Sequence, residues 1–292
     1  MNALAGAGRA AYIGLMTAFL KMHGLGNDFV VFDARRERIA LDAASAKALA
    51  DRRFGVGCDQ VIVIGEGKNG FDAAMRIYNA DGGEVESCGN ATRCVARLLM
   101  EEKDRDRVTI DTPGGKLVCL DAGAGTVTVD IGAPHLDWKD IPLAEAMDTN
   151  HVAFEIDGKS FNGVGVNVGN PHCVLFVDDA ERVPVATLGP KIEHHELFPA
   201  RINAEFVSVK DRSHLRMRVW ERGAGITSAC GTGACASAVA AVRRGLTDRK
   251  VDVVLDGGTL TIEWRESDGH VLMTGPATLS FKGDVDLGAY AT

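Results

Sequence analysis

The chain repeats itself once along its length, and this duplication limits the folds available to it. Four pairs of segments match in the same order at an offset of 142 or 143 residues: HGLGNDFVVF (23–32) with VNVGNPHCVLF (166–176), MRIYN (75–79) with MRVWE (217–221), Cys88-Gly89 of ESCGNATRC (86–94) with Cys230-Gly231 of TSACGTGAC (227–235), and VTIDTPGGKL (108–117) with VDVVLDGGTL (251–260). A repeat that long has the size of a domain rather than of a solenoid unit. We therefore expect two homologous domains.

Each repeat contains strand-like apolar segments and one amphipathic helix after its Cys-Gly pair. Apolar residues follow the helical spacing in both copies: Ala91, Cys94, Val95, Leu98 and Leu99 in the first, and Cys235, Ala238, Val239 and Val242 in the second. The segment KLVCLDAGAGTVTVDIG is typical of a β-hairpin. These patterns predict an α+β fold in which each domain is a mixed β-sheet wrapped around a central helix. Pseudo-two-fold packing of the two domains would place the active site in the cleft between them.

The repeat also predicts the domain boundaries. The first domain spans 16–133 and the second spans 134–276, since each ends in a proline that follows a closing strand. Residues 277–292 alternate like a strand, and we expect this strand to complete the first domain. Residues 1–15 are expected to be an N-terminal extension, with Met16 at the start of the folded chain.

Charge and hydropathy indicate what kind of partner the chain has. Its 292 residues include 32 basic and 40 acidic side chains, a net charge of −8 without a Lys/Arg-rich run. Nucleic acid and anionic membranes are therefore not expected partners. No apolar stretch reaches the roughly eighteen residues of a membrane span, and no signal-peptide pattern is present. A cytoplasmic protein acting on a small molecule is the favoured interpretation.

The seven cysteines are odd in number, which favours reduced thiols over a disulfide framework. Their spacings, C-x5-C and C-x4-C, differ from the C-x2-C pairs of zinc sites, so no metal is expected.

Cys88 and Cys230 are equivalent in the two repeats, and each directly precedes a predicted helix. Small residues follow each cysteine: Gly89 and Asn90 in the first copy, and Gly231, Thr232 and Gly233 in the second. The uncovered N–H groups and the dipole of such a helix start bind anions and lower the pKa of a thiol. For one cysteine, a buried residue at a helix start would be the better interpretation.

Two such thiols facing each other have a chemical use. If both helix starts hold one carboxylate, the sulfurs lie on either side of the adjacent carbon. One thiolate then removes the α-proton while the opposite thiol protonates the other face, which inverts a stereocentre. The bound carboxylate takes up the developing negative charge, so no cofactor is required.

Other polar residues are candidate substrate ligands. Glu221 and Arg222 precede the second Cys-Gly segment and would suit a zwitterionic amino-acid group, although an isolated pair of this kind is usually a surface ion pair. Four asparagines occupy loop-like contexts, where turn formation is their usual role: Asn27, Asn79, Asn170 and Asn203.

Five segments together resemble the diaminopimelate epimerase family from Met16 to near the C-terminus: KMHGLGNDFVVFD, GVGCDQ, YNADGGEVESCGNATRC, VNVGNPHCVLF and VWERGAGITSACGTGACA. The resemblance implies PLP-independent interconversion of LL- and meso-diaminopimelate, in lysine and peptidoglycan precursor biosynthesis, by a homodimer. It implies Cys88 and Cys230 as the thiolate/thiol pair and His172 and Glu221 as residues that tune them. Its implied substrate ligands are Asn27, Gln60, Asn79, Gly89, Asn90, Asn170, Asn203, Glu221, Arg222, Gly231 and Thr232.

Three positions depart from the pattern of the family. Ile226 stands where many members have glutamate, Ala91 replaces a glycine, and Phe281 stands where some members have a tyrosine at the dimer contact. None of these changes removes a thiol, but Ile226 removes any hydrogen bond made by that glutamate.

Alternative functions remain open from the residues alone. A proline racemase or hydroxyproline epimerase of the same fold is one, although a cyclic substrate has no distal group for Glu221 and Arg222. A non-catalytic amino-acid-binding protein is another, although binding needs neither thiol. A redox sensor that forms a Cys88–Cys230 disulfide is the third.

Overall fold

The structure is a computed structural model that describes residues 16–86 and 88–290. The N-terminal extension assigned to residues 1–15 lies outside the described residues.

Strands dominate the described chain. In the first half they are β1 (Met16–Gly24), β2 (Asn27–Asp33), β3 (Gln60–Glu66), β4 (Ala73–Asn79), β5 (Glu84–Val85), β6 (Arg107–Thr112), β7 (Gly115–Gly123) and β8 (Thr126–Asp130). In the rest of the chain they are β9 (Val152–Ile156), β10 (Lys159–Asn167), β11 (Pro171–Phe176), β12 (Asn203–Asp211), β13 (His214–Glu221), β14 (Gly225–Ile226), β15 (Lys250–Leu255), β16 (Gly258–Trp264), β17 (Val271–Pro276) and β18 (Thr278–Asp286). The helices are α1 (Ala43–Ala50), α2 (Gly89–Lys103), α3 (Val185–Glu193) and α4 (Gly231–Arg243), with short 3₁₀ segments at Ala180–Arg182 and Leu287–Tyr290.

The two halves have the same strand order. In the first, strands run β18-β1-β2-β3-β4-β6-β7-β8, and in the second β9-β10-β11-β12-β13-β15-β16-β17. Parallel pairs occur at equivalent places, β2–β3 and β4–β6 against β11–β12 and β13–β15. The mixed sheets and the α+β class predicted from the repeat are therefore confirmed.

The halves join where β8 pairs antiparallel with β17. These strands are equivalent in the repeat, and Thr128 lies opposite Thr274 with their hydroxyl oxygens 2.7 Å apart. Two equivalent strands that run antiparallel side by side are related by a local two-fold axis. The pseudo-two-fold relation thus follows from the register of one strand pair.

The last strand returns to the beginning of the chain. β18 pairs antiparallel with β1, from Met16 opposite Asp286 to His23 opposite Thr278. In the second half the corresponding position beside β10 belongs to β9. β18 has no second neighbour among the described strands, so it forms an edge of the sheet.

The predicted helices after the two Cys-Gly pairs are confirmed as α2 and α4. Their inward faces are completely buried, for example at Cys94 and Leu99 in α2 and at Val239 in α4. They share one continuous core, because the sheets of both halves curve around them. The predicted hairpin is also confirmed, as β7 and β8.

Helices α1 and α3 were not predicted from the sequence. They occupy equivalent places, between β2 and β3 and between β11 and β12, and each covers a smaller core. α1 is capped by Asp42, whose carboxylate accepts the Ser45 N–H at 2.8 Å. Within the described part of the chain, no helix is long and apolar enough to cross a membrane.

Candidate active site

Cys88 and Cys230 hold the N-cap positions of α2 and α4. Both have extended backbone conformations, which is the usual geometry of an N-cap. The Cys230 sulfur accepts the Gly233 N–H at 3.3 Å and lies 3.5 Å from the Thr232 hydroxyl. The Cys88 thiol lies 3.7 Å from Asn27 Oδ1. Each thiol is thus fixed at the positive end of a helix.

The N-termini of the two helices meet around Met273 and Asn90. A Cβ added at Gly89 would overlap the Met273 methyl group, and one at Gly231 would come within 2.9 Å of the Met273 sulfur. Asn90 crosses from one half to the other, since its Nδ2 donates to Asn27 Oδ1 and to the carbonyl of Ala229, both at 3.2 Å. The residue before Cys230 is therefore tied directly to the first turn of α2.

Acidic side chains surround the second thiol. Glu221 accepts a hydrogen bond from the Thr227 hydroxyl, and its carboxylate is close enough to Cys230 to raise the pKa of that thiol. His172 is completely buried, and its Nδ1 lies 2.6 Å from Glu205 Oε1. A Cβ at Gly233 would come within 2.9 Å of the same Glu205 oxygen. A thiol, two carboxylates and an imidazole are thus packed together beside the start of α4.

The electrostatic expectation for the thiols was wrong. The helix starts predicted lowered values, but burial raises the pKa of Cys88 to about 11 despite the N–H groups of Ala91 and Asn90 at its sulfur. Burial also raises the pKa of Cys230 well above its usual range, and the Glu221 and Glu205 carboxylates add to this shift. The free energy needed to remove a thiolate from water is larger than the stabilisation that a few N–H groups give it. Both groups therefore favour the neutral thiol near pH 7.

Glu221 itself is affected by its surroundings. Burial raises the pKa of this carboxyl, while its hydrogen bond with Thr227 and the nearby Cys230 thiol act in the opposite direction. A carboxyl with a raised pKa is a better proton acceptor than an ordinary one.

Several predicted substrate ligands bind one another. Gln60 Nε2 donates to Asn79 Oδ1 at 2.8 Å across the β3–β4 pair, and the Gln60 oxygen is buried without a partner among the described residues. Asn170 Oδ1 lies 2.8 Å from His172 Nε2. The polar side chains of both halves are therefore held in place by other members of the predicted set.

Arg222 and its neighbours form a separate group. Asn203 accepts the Arg222 backbone N–H and donates to the Pro171 carbonyl, both at 2.8 Å. The exposed Arg222 guanidinium donates to the Ala200 carbonyl at 3.2 Å. Among the described residues Glu221 and Arg222 form no salt bridge, because Glu221 faces the thiol instead.

The departures from the family pattern have simple surroundings. Ile226 lies in β14 with 45% of its surface exposed, and the neighbouring Thr227 is the residue that binds Glu221. Ala91 is completely buried in the first turn of α2. Phe281 is 51% exposed on β18.

Two buried charged residues at this site were missed in the sequence. Glu205 superposes on Ile62 and Arg93 superposes on Cys235 when the two repeats are aligned, and Glu205 and Arg93 are completely buried. A charged residue in one copy that replaces an apolar residue in the other is the signal that would have found both.

No group of three His, Cys, Asp or Glu side chains suited to holding a metal ion occurs in residues 16–86 and 88–290.

The family model described as "Diaminopimelate epimerase" matches residues 19–136 and 164–280. The diaminopimelate epimerase of Rhodospirillum centenum is 54% identical over 272 residues, which cover 93% of each chain. That of Erythrobacter litoralis is 52% identical over 278 residues, covering 95% of this chain and all of the relative.

Solved structures match at lower identity. A hydroxyproline epimerase from Agrobacterium vitis with bound trans-4-hydroxy-L-proline superposes with a TM-score of 0.65, 16% identity and 92% coverage of each chain. A PhzF-family phenazine biosynthesis protein of Bacillus anthracis superposes with a TM-score of 0.65 at 14% identity, covering 92% of this chain and 99% of that one. These structures share the fold.

Proposed function

The chain belongs to the diaminopimelate epimerase family, and on that premise we propose that it interconverts LL- and meso-diaminopimelate without a cofactor. The observation that carries this proposal is the pair of equivalent thiols at two helix N-termini that meet around Asn90 and Met273. The corresponding role is in lysine and peptidoglycan precursor biosynthesis.

The reacting carboxylate binds at the first N–H groups of both helices. Gly89 and Gly231 have no side chains, and Met273 packs where their Cβ atoms would project, so the two helix starts can approach each other closely. The N–H groups of the two first turns are the donors for the carboxylate. The two helix dipoles and the N–H groups stabilise the negative charge that reaches the carboxylate when the α-proton leaves. This stabilisation replaces the electron sink that a cofactor would supply.

Proton transfer begins from two neutral thiols. We assign Glu221 as the group that accepts the Cys230 proton, because it is the carboxylate whose charge acts most strongly on that thiol. The Cys230 thiolate then removes the α-proton, and the Cys88 thiol protonates the opposite face of the carbanion. The product state has a Cys230 thiol and a Cys88 thiolate, so the reverse reaction uses the same groups in exchanged roles.

The distal amino-acid end of the substrate binds to the polar side chains beside the thiols. Backbone and amide donors suit its carboxylate, and amide and carboxylate oxygens suit its ammonium group. We assign this role to residues that the family resemblance indicates: Asn27, Gln60, Asn79, Asn170, Asn203, Glu221 and Arg222. His172 joins Asn170 of this set to Glu205, so we assign it a positioning role.

The two-base scheme is tested with Cys88→Ala and Cys230→Ala. Each variant should abolish epimerisation, because one face of the α-carbon loses its proton carrier. Proton NMR of LL-diaminopimelate in D2O with reduced protein measures loss of the α-proton signal and growth of the meso isomer. Cys119→Ala, at a buried cysteine remote from both helix starts in sequence, is the control.

Full activity in either active-site variant would refute the scheme. A parallel tube with proline separates the substrate from the fold: exchange of proline without exchange of diaminopimelate would reassign the chain to a cyclic substrate.

We also propose a cytoplasmic homodimer whose contact includes β18. Support comes from an edge strand that exposes Phe281 and Leu279, since paired edges commonly cover such residues. Phe281→Asp should convert the dimer to a monomer in sedimentation analysis. Phe54→Asp, at a phenylalanine 84% exposed on a loop between α1 and β3, should leave the dimer intact. A wild-type monomer would overturn this assignment.

A further inference from the structure

Arg93 is the largest of the completely buried side chains, and its charge has no acidic partner among the described residues. It lies one turn after Asn90 in α2. Its guanidinium donates to Asn90 Oδ1 at 2.7 Å, to the Pro276 carbonyl at 3.2 Å and to the Met273 sulfur at 3.5 Å. All three acceptors are uncharged.

These contacts place the cation under both helix starts. Met273 lies against the Cα atoms of Gly89 and Gly231, and Arg93 donates to the sulfur of this methionine. Asn90, which Arg93 holds by its oxygen, reaches Ala229 just before Cys230. The guanidinium therefore links the two halves: it is carried by α2 of the first half and donates to Met273 and Pro276 of the second half.

A buried cation without a counter-ion destabilises a fold unless something compensates it. The reaction supplies this negative charge. The substrate brings its carboxylate to the helix N-termini that Arg93 supports, and a thiolate forms there during proton transfer. Burial lowers the pKa of Arg93, and the neighbouring Cys94, Cys88 and Cys235 sulfurs oppose that shift. The guanidinium in turn lowers the pKa of the Cys88 thiol against the larger effect of burial.

Resting on the proposed function, we propose that Arg93 is a positioning residue of the epimerase: it fixes Asn90 between the two halves and supplies a permanent positive charge that favours the Cys88 thiolate and the bound carboxylate. The repeat supplies the contrast. The equivalent position in α4 is Cys235, so one guanidinium serves both helix starts.

The test separates charge from packing with two variants. Arg93→Gln retains a hydrogen-bond donor without a charge, and Arg93→Lys retains the charge without the forked donor. Alkylation of Cys88 by iodoacetamide, followed by peptide mass spectrometry between pH 7 and 9.5, measures its thiolate and needs no substrate. Arg93→Gln should slow alkylation about threefold to tenfold, equivalent to roughly half to one pKa unit. Arg93→Lys should stay within about twofold of the wild type.

Arg243→Gln is the matched control, since this partly buried arginine of α4 donates to Gly165 O and Thr149 Oγ1 away from the helix starts. It should lower the melting temperature without changing Cys88 alkylation. Equal slowing by Arg93→Gln and Arg93→Lys, or no slowing by Arg93→Gln, would reduce Arg93 to a packing residue.

The proposed function fails separately from this inference. One outcome is a wild type that does not epimerise diaminopimelate while Arg93→Gln still slows alkylation of Cys88. That result would support the effect of the Arg93 charge on the thiol and refute its role in epimerisation. If both hold, Arg93→Gln should also lower kcat/KM for epimerisation more than Arg93→Lys does.

Discussion

Replacing Glu221 with glutamine should change two properties of the site in opposite directions. The charge of this carboxylate raises the pKa of Cys230 and, more weakly, of Cys88. Two unit charges about 4 Å apart in surroundings of effective dielectric about 20 interact by about 4 kcal/mol. That energy corresponds to roughly 3 pKa units. Because Glu221 keeps partial access to solvent, we expect Cys230 to shift down by at least about one unit.

The thiols of Glu221→Gln should therefore alkylate faster than those of the wild type, by about tenfold for Cys230 and less for Cys88. Epimerisation should nevertheless fall by about 10²- to 10⁴-fold, because glutamine cannot accept the Cys230 proton. Peptide mass spectrometry after iodoacetamide treatment at pH 9 reports both thiols. Glu155→Gln, at an exposed glutamate of β9, is the control and should change neither property. Unchanged or slower alkylation of Cys230 in Glu221→Gln would refute the electrostatic reasoning.

Three further perturbations test other parts of the structure. Glu205→Gln should speed alkylation of Cys230 more than that of Cys88, because the Glu205 charge raises the pKa of Cys230. Asp28→Asn should cost about 2 kcal/mol at neutral pH. Burial raises the pKa of Asp28, but Arg52 and Lys21 lower it to about 2, so this stability is present above pH 4 and lost as pH falls through 2 in urea titrations. Leu99→Ala, at a completely buried position of α2, should lower the free energy of unfolding by about 2–5 kcal/mol.

The duplication made the fold predictable from the sequence, but it did not determine the pKa values of the two thiols. Helices α2 and α4 follow from apolar spacing because each must bury one face against a sheet. Helix α1 is short and rich in alanine, so its periodicity is weak. The thiol pKa values depend on two opposed effects, the helix N-terminus and burial. Sequence shows the first of these, whereas the second depends on how closely Met273, from a distant strand, covers the start of each helix.

The two copies agree in their thiols and helix starts, and they differ in the charged residues around them. The pairing of β3 with β4 matches the pairing of β12 with β13, because Val61 lies opposite Tyr78 in the first half and Ala204 lies opposite Trp220 in the second. In this alignment Glu205 takes the place of Ile62, and Glu221 takes the place of Asn79.

The backbone symmetry thus supplies two matched helix N-termini for one carboxylate, while the substitutions make the two thiols electrically unequal. Cys230 lies among carboxylates, and Cys88 lies beside an amide and above a buried guanidinium. A two-base epimerase must hold one thiol ready to lose its proton and the other ready to give one. Because the same pair must work in both directions, we infer that the unequal surroundings set how easily each thiol loses its proton: the carboxylates oppose the Cys230 thiolate, and the guanidinium favours the Cys88 thiolate.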